Sequence, residues 1–283
     1  MDKILKKYNV IGDDLFYHRT VSEANGEIYY SATEAHRQYE ILYLISGNIS
    51  YIIEGSSYSV KPGDIIFVAP DEIHTLKIDG RLKYERAVIL FDMEILKNML
   101  SRINVELLQF SRGSKNRIRI IDETTARKYK LSDLLLSIIE LDGEEKYKKL
   151  GIVSRLIDFI VCLDKIACEH GDTLLRPSSE DTLVRRAIDY IDGHLTEKIS
   201  LDGLATALFV SKSTLCHRFS SYLKMTPNRY ITVRKIHLAE KLMRDGMSAN
   251  EAACAVGYEN YSGFYYNYKQ IIGFPPSESA ERF

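Results

Sequence analysis

The 283-residue chain has no tryptophan, six prolines and four cysteines. Cys162, Cys168, Cys216 and Cys254 form neither a Cys-x-x-Cys pair nor a Cys/His ligand spacing. That pattern excludes a disulfide framework or zinc site as the working reading and leaves buried, reduced thiols as the plain expectation. No apolar run approaches the roughly 18 residues of a membrane helix, and the opening MDKILKKYNV is too short and too polar for a signal peptide. A cytoplasmic chain with no membrane partner is therefore expected. One-signed charge is lacking too. Lys plus Arg number 38 and Asp plus Glu 39, for a net charge of −1, which alone says nothing for nucleic acid.

The length favours two domains, and composition is that of a globular protein, 45% hydrophobic and 27% charged. The charge is unevenly shared. Residues 182–283 hold 13 Lys/Arg against 10 Asp/Glu, a balance of +3, and the rest hold 25 against 29, a balance of −4. The C-terminal part leans, weakly, toward an anionic partner.

From about Tyr29 to Phe91, short β-branched and aromatic runs alternate with Gly, Pro, Asn and Asp. Examples are Ile41–Ile45 before Ser46-Gly47-Asn48, Ile49–Ile53 before Glu54-Gly55, and Ile65–Val68 after Lys61-Pro62-Gly63-Asp64. An antiparallel barrel or sandwich is expected. Apolar residues then take helical spacing over Glu94–Ser101, Glu123–Leu141 and Lys146–Glu169, where Leu156, Phe159, Ile160 and Leu163 make one stripe. GDTLLRPSSED, Gly171–Asp181, reads as a linker. Domains of 1–170 and 182–283 follow.

Beyond the linker lies a repeat offset by 49 residues. Leu204/Ala253, Ala205/Cys254, Leu215/Phe264, Phe219/Tyr268 and Pro227/Pro276 superpose. Each copy reads as a helix (about 201–208 and 249–256), a tight turn, and a second helix (about 211–222 and 260–271). Thr226-Pro227 is a helix start and Ser248-x-x-Glu251 a capping box. The second helix of a helix-turn-helix is free to enter a major groove, whereas an ordinary bundle of duplicated hairpins would present Glu and Lys to water. Here the outward positions are Lys212, Ser213, Cys216 and His217 in one copy and Tyr261, Ser262, Tyr265 and Tyr266 in the other. Short hydroxyls and hydrogen-bonding aromatics suit base edges and phosphates.

Residues 182–283 resemble the DNA-binding domain of the AraC/XylS family of bacterial transcription regulators. The likeness is carried by LATALFVSKSTLCHRF, MTPNRY and VRKIHLAEKLM in the first copy, and by AACAVGYENYSGFYYNYK and GFPP in the second. It implies seven helices, with Pro227–Arg244 joining two units whose recognition helices enter successive major grooves. Several positions depart from the family pattern. His217 and Tyr266 stand where Arg is frequent, Lys224 where Gly is usual, and Ala249 and Ala252 where Ile is frequent. Ser279 replaces a closing aromatic. A second unit that packs less tightly and reads less strongly is expected. Ser213, Cys216, His217, Tyr261, Ser262 and Tyr265 are the candidate base readers. Lys212, Arg218, Arg229, Arg234 and Lys269 are the candidate phosphate contacts.

The stretch His36–His74, with PGD at 62–64 and PxxxH at 70–74, resembles a cupin barrel of the kind found ahead of this DNA-binding domain. His36, Glu40 and His74 then pose a choice. Two His and a carboxylate suit a metal and would admit a metal-dependent enzyme; they equally suit hydrogen bonding to a small effector, or a structural role at the barrel mouth. Gln38 stands where metal-binding cupins offer a second His, so no metal or cofactor is expected and no enzyme. Arg19, Tyr43, Tyr51 and Arg86 are further candidates for the same cavity, a lining suited to a sugar or a carboxylated metabolite. The expected fold is a two-domain α+β chain, a cupin-like β-barrel with following helices and then an all-α domain with two helix-turn-helix units. The expected function is an effector-controlled transcription regulator, an activator. Its partners would be double-stranded promoter DNA, a small effector, RNA polymerase and a second copy through the helix near 146–170. A barrel that binds a protein partner instead of a metabolite is the alternative.

Overall fold

The computed structural model describes residues 3–12, 14–96, 102, 118–170, 177 and 179–282. The chain divides into two compact units, residues 1–53 with 57–179, and residues 54–56 with 180–283.

The first unit is built on antiparallel strands. They are β1 (Lys3–Ile11), β2 (Leu15–Ser22), β3 (Ile28–Tyr30), β4 (Tyr39–Ser46), β5 (Ile49–Ile53), β6 (Ser56–Val60), β7 (Ile65–Val68), β8 (His74–Asp79), β9 (Tyr84–Phe91) and the short β10 (Ile120–Ile121). One sheet runs β1-β2-β9-β4-β7-β10, and the other contains β6-β5-β8-β3. Alternation along β4 shows how the layers arise. Leu42 and Leu44 turn toward the second sheet and meet Tyr51, Ile53, Leu76 and Ile78. Ile41 turns to the opposite face, where Ile89 and Phe91 of β9 meet the helices. The central strands β4 and β9 are thus buried on both faces.

β1 and β2 precede Tyr29, where strand signals were expected to begin. β1 is an edge strand carrying Lys3, Lys6 and Lys7. Edge lysines discourage pairing with other chains, and they also hide the strand pattern. The expected helix over 123–141 is two helices, α1 (Glu123–Lys128) and α2 (Leu131–Glu140). Lys130, in the left-handed region at φ 56°, turns the chain between them. In α3 (Glu145–His170) the stripe of Leu156, Phe159, Ile160 and Leu163 is buried against the sheet. Of the expected 94–101 helix, residues 94–96 are helical; the remainder, and most of the expected linker, lie outside the described residues.

The second unit has seven helices among the described residues, α4 (Thr182–Gly193), α5 (Leu201–Ala207), α6 (Lys212–Leu223), α7 (Pro227–Arg244), α8 (Ala249–Ala255), α9 (Tyr261–Ile272) and α10 (Pro276–Arg282). Their starts are written in the sequence. Asp181, Ser200, Ser211, Thr226, Ser248 and Asn260 each accept a hydrogen bond from a first-turn backbone N–H, which satisfies donors that a helix start leaves bare. Ser248 and Glu251 form the full reciprocal capping box.

Among the cysteines, all four are free thiols, but Cys168 and Cys254 are exposed and Cys162 and Cys216 half-buried, so the expectation of buried thiols does not hold.

Candidate functional site

The two helix pairs of the second unit are each closed by a small apolar core. In α5 and α6 it is Leu204, Ala205, Leu208, Leu215 and Phe219; in α8 and α9 it is Ala252, Ala253, Val256, Phe264 and Tyr268. This corrects the repeat. The second helices superpose at an offset of 49, but the first helices and their caps, Ser200 and Ser248, superpose at 48. Leu204 therefore matches Ala252, and Ala205 matches Ala253 instead of the exposed Cys254. The difference sits in the turn. Past the C-cap Leu208 of α5, Phe209 and Val210 lead to the Ser211 cap, whereas past the C-cap Val256 of α8, Gly257, Tyr258 and Glu259 lead to Asn260.

Phe264 puts a ring in the second unit where the first has Leu215, while Ala252 and Val256 stand where the first has Leu204 and Leu208. Phe264 meets Tyr258 at 5.5 Å and Tyr268 at 5.5 Å. Ser279, where an aromatic was expected, is buried and lies 2.6 Å from the Tyr268 hydroxyl. A tyrosine and a serine thus share a hydrogen bond where two rings would have packed.

The outward faces are as follows. Lys212, Ser213, His217 and Arg218 of α6 are exposed, and Cys216 is half-buried. Tyr261, Ser262, Tyr265, Tyr266 and Lys269 of α9 are exposed. Lys212 pairs with Asp202 at 2.9 Å and Arg218 with Asp181 at 2.7 Å. Exposed pairs of this kind contribute about 1 kcal/mol or less, so a phosphate can displace the carboxylate. Arg229 is exposed near the start of α7. Arg234 is not available for such a contact: it is 4% exposed and its guanidinium meets Asp192 at 2.7 Å. Helical spacing puts it on the inner face of α7, a position that charge alone did not reveal. Lys235 beside it is also buried and donates to the carbonyls of Glu197 and Val256, both at 2.7 Å. Sequence reading also passed over Phe209. It is 90% exposed and holds φ 60° in the turn before α6.

The first unit holds a cavity of about 550 Å³ between its two sheets. Five of the expected residues line it, His36, Glu40, Tyr51, His74 and Arg86. Arg19 and Tyr43 do not. Arg19 alternates with His18 and Thr20 on β2, so it turns to the other face and binds Glu85 at 2.7 Å. Tyr43 is an odd step from Glu40 on β4 and packs toward the helices. The residues that take their places are His18 and Thr20 on β2 and Lys7 on β1. Cross-strand pairing groups them, with Lys7 opposite His18 and Thr20 opposite Arg86. Strand alternation on β2 would have found these residues had the strand itself been recognised.

Two polar clusters result. Lys7, His18, Thr20 and Arg86 form a polar wall whose two cations are Lys7 and Arg86. His18 Nδ1 lies 3.3 Å from the Thr20 hydroxyl, and burial, then the Arg86 charge, brings the His18 pKa down to about 4. The other cluster centres on Glu40. His36 stands ahead of β4, not on it, so alternation does not place it, yet its Nε2 lies 3.2 Å from Glu40. His74 comes from the opposing sheet, at 3.7 Å, and Tyr51 donates to the same carboxylate at 2.5 Å. Burial alone would raise the Glu40 pKa, but the hydrogen bond from His36 and the two nearby imidazoles outweigh it and hold the carboxyl well below its usual range. Burial likewise opposes charge on His36, and the Glu40 carboxylate overcomes it, so the ring is more basic than usual. Burial and the same carboxylate push the Tyr51 phenol well up. His36, Glu40 and His74 each bring one ligand-type atom within 4.8 Å of the other two.

Comparison with known proteins gives two family models. One described as an AraC-like ligand binding domain matches residues 17–125, and one described as a helix-turn-helix domain matches residues 204–282. Together they cover about two-thirds of the chain. The HTH-type transcriptional regulator YbfI of Bacillus subtilis is 23% identical over 233 residues, 80% of this chain and 78% of that protein. The HTH-type transcriptional activator RhaS of Escherichia fergusonii is 21% identical over 248 residues, 86% of this chain and 85% of that protein. A crystal structure of ToxT from Vibrio cholerae covers 94% of this chain and 97% of its own, at 14% identity and a TM-score of 0.40. With a ligand-binding domain ahead of a helix-turn-helix domain, the chain belongs to the AraC/XylS family, as a DNA-binding transcription regulator and not an enzyme.

Proposed function

We propose that a small polar metabolite, a sugar or a hydroxylated acid, binds in the barrel cavity and controls transcription through the second unit. The cavity is the observation that carries this reading. It pairs a wall that bears the cations Lys7 and Arg86 and the neutral His18 ring with a carboxylate held by two imidazoles and a phenol. The first suits a carboxylate or a row of hydroxyl oxygens, and the second accepts hydroxyl protons; Phe16, Leu76 and Val88 offer C–H faces between them. On the DNA side, Ser213, Cys216 and His217 read base edges, with Tyr261, Ser262 and Tyr265 adding less. Lys212, Arg218, Arg229 and Lys269 grip phosphates. The output is activation with RNA polymerase as partner, a reading supported by the activator role in the name of the RhaS relative. Two copies act together through the outer face of α3, where Tyr147 and Leu150 are 63% and 65% exposed. Leu150→Glu is expected to yield monomers in sedimentation velocity; an unchanged sedimentation coefficient would place the dimer contact elsewhere.

The test of the effector is a thermal-shift screen of the full chain against sugars, sugar acids and other hydroxylated acids. A ligand present at 100 times its Kd stabilises its site by about 2.7 kcal/mol, and Arg86→Ala is expected to abolish the shift. If no compound shifts the transition, the barrel assembles or recruits and does not sense.

A further inference from the structure

The second helices of the two helix-turn-helix units offer DNA different chemistry. α6 turns Lys212, His217 and Arg218 outward beside Ser213. On α9, positions 261, 262, 265, 266 and 269 share one face by helical spacing, and they are Tyr, Ser, Tyr, Tyr and Lys, all exposed. Tyr261 and Tyr265 are each 39% exposed and Tyr266 65%. A helix face turned only to water carries charged and polar residues. This one carries three aromatic rings in its first two turns.

The four bases can be matched against that face in turn, because the first residues of a recognition helix are the ones that reach base edges. Guanine is read by Arg or Lys, and Tyr261–Asn267 holds neither; Lys269 follows in the third turn. Adenine is read by a bidentate Asn or Gln amide. Asn267 is half-buried and donates to the Tyr258 hydroxyl at 3.1 Å, and Asn260 gives its Oδ1 to the backbone N–H of Gly263 at 2.8 Å. Gln270, like Lys269, comes a turn later. The amino group of cytosine is read by a carboxylate, and α9 contains no Asp or Glu. Ser262 suits any base and discriminates little. What remains is the C5-methyl group of thymine, which takes an apolar contact.

The rings are placed for that contact. Tyr261 lies 5.7 Å from the buried Phe264 and 6.4 Å from Tyr265. The core thus supports the first ring, and the first ring flanks the second. A tyrosine has only two side-chain angles to fix, so packing it on a methyl group costs little conformational freedom.

We propose that Tyr261 and Tyr265 recognise thymine by packing their rings on C5-methyl groups in the major groove. The half-site under α9 is then defined by A·T pairs, and the half-site under α6 by polar contacts. This rests on the reading of α9 as a base-reading helix and adds which base it reads.

The test uses the full chain and a DNA duplex that it selects from a randomised library. Each thymine of the selected site is replaced, one at a time, by deoxyuridine, which removes the methyl and keeps the pairing and the O4 acceptor. At one or two thymines of one half-site, affinity is expected to fall about fourfold, the worth of one buried carbon group. Tyr265→Ser should bind the thymine and deoxyuridine duplexes alike at one of those positions, while Tyr265→Phe, which keeps the ring, keeps the difference. The scan itself uses the unaltered chain, so it decides the matter even if a variant does not fold. A selected site in which no deoxyuridine weakens binding overturns the methyl contact. So does a difference that persists undiminished in both Tyr261→Ser and Tyr265→Ser. The underlying reading fails separately: if Tyr261→Ser, Ser262→Ala and Tyr265→Ser each weaken the selected duplex and random DNA equally, α9 grips backbone and reads no base.

Discussion

His18 illustrates how a single side chain can carry opposite messages in sequence and structure. A histidine beside Arg19 on a polar stretch looks like surface, yet it faces the cavity with Arg86, Lys7 and Thr20, and Glu40 exerts a weaker opposing pull. Its ring ordinarily titrates at 6.5 and here at about 4. The unfolded chain thus takes up a proton near pH 6.5 that the folded chain refuses until about pH 4. Stability contributed by the neutral ring is full above 6.5 and declines as pH falls through that window. His18→Gln is expected to lose a smaller part of its melting temperature between about pH 6.5 and 4.5 than the unaltered chain. Parallel curves would mean that the ring is hydrated and ordinary. On the DNA side, His217→Ala should relax discrimination at one or two base pairs by about 1–3 kcal/mol. Arg229→Ala should weaken specific and random DNA alike and reduce the salt slope by about one. Binding isotherms on both DNAs at several salt concentrations separate the two; equal losses on both DNAs for both variants would refute the division into readers and grippers.

Among the elements, the two helix-turn-helix units explain each other. α6 ends at Lys224 with φ 56°, and α9 ends at Gly273 with φ 93°. The positions are 49 residues apart and both are left-handed caps. Glycine takes that conformation without the Cβ penalty that other residues pay there. Lys224→Gly is therefore expected to stabilise the second unit by about 1 kcal/mol, measured by denaturant unfolding; a loss of stability would mean that the lysine side chain makes a compensating contact. The same elements show what one sequence makes legible. Caps and turns were readable because a serine or threonine before an apolar run has a local purpose. The extra turn residue in the second unit was not, because small apolar residues superpose almost equally well at 48 and 49, and only burial distinguishes Ala253 from Cys254. β1 was missed for a related reason, since a lysine-rich edge strand has no continuous apolar face to announce it.

At the scale of the molecule, the division of charge matches the division of labour, with +3 in residues 182–283 and −4 in the rest. If the cavity and the DNA-reading helices are coupled, the coupling is reciprocal. Operator DNA should tighten effector binding by the same factor by which effector tightens operator binding. Titrating the effector with and without DNA measures it, and unequal factors would show that the two events are not linked through one equilibrium.

The family, the double helix-turn-helix, the helix starts at Thr226 and Ser248 and the β-rich first unit were legible along the chain, because these rest on local periodicity, capping chemistry and contiguous motifs. Tertiary structure decided which polar side chains share a space. Arg19 and Arg234 left the candidate sites because a strand and a helix turned them to an opposite face, and Lys7, His18 and Thr20 entered because β1 and β2 were laid beside β9. The convergence of His36, Glu40 and His74 on one point was decided in the same way. The family resemblance grouped these three, but their distances depend on two sheets closing over each other, which no spacing along a single chain encodes.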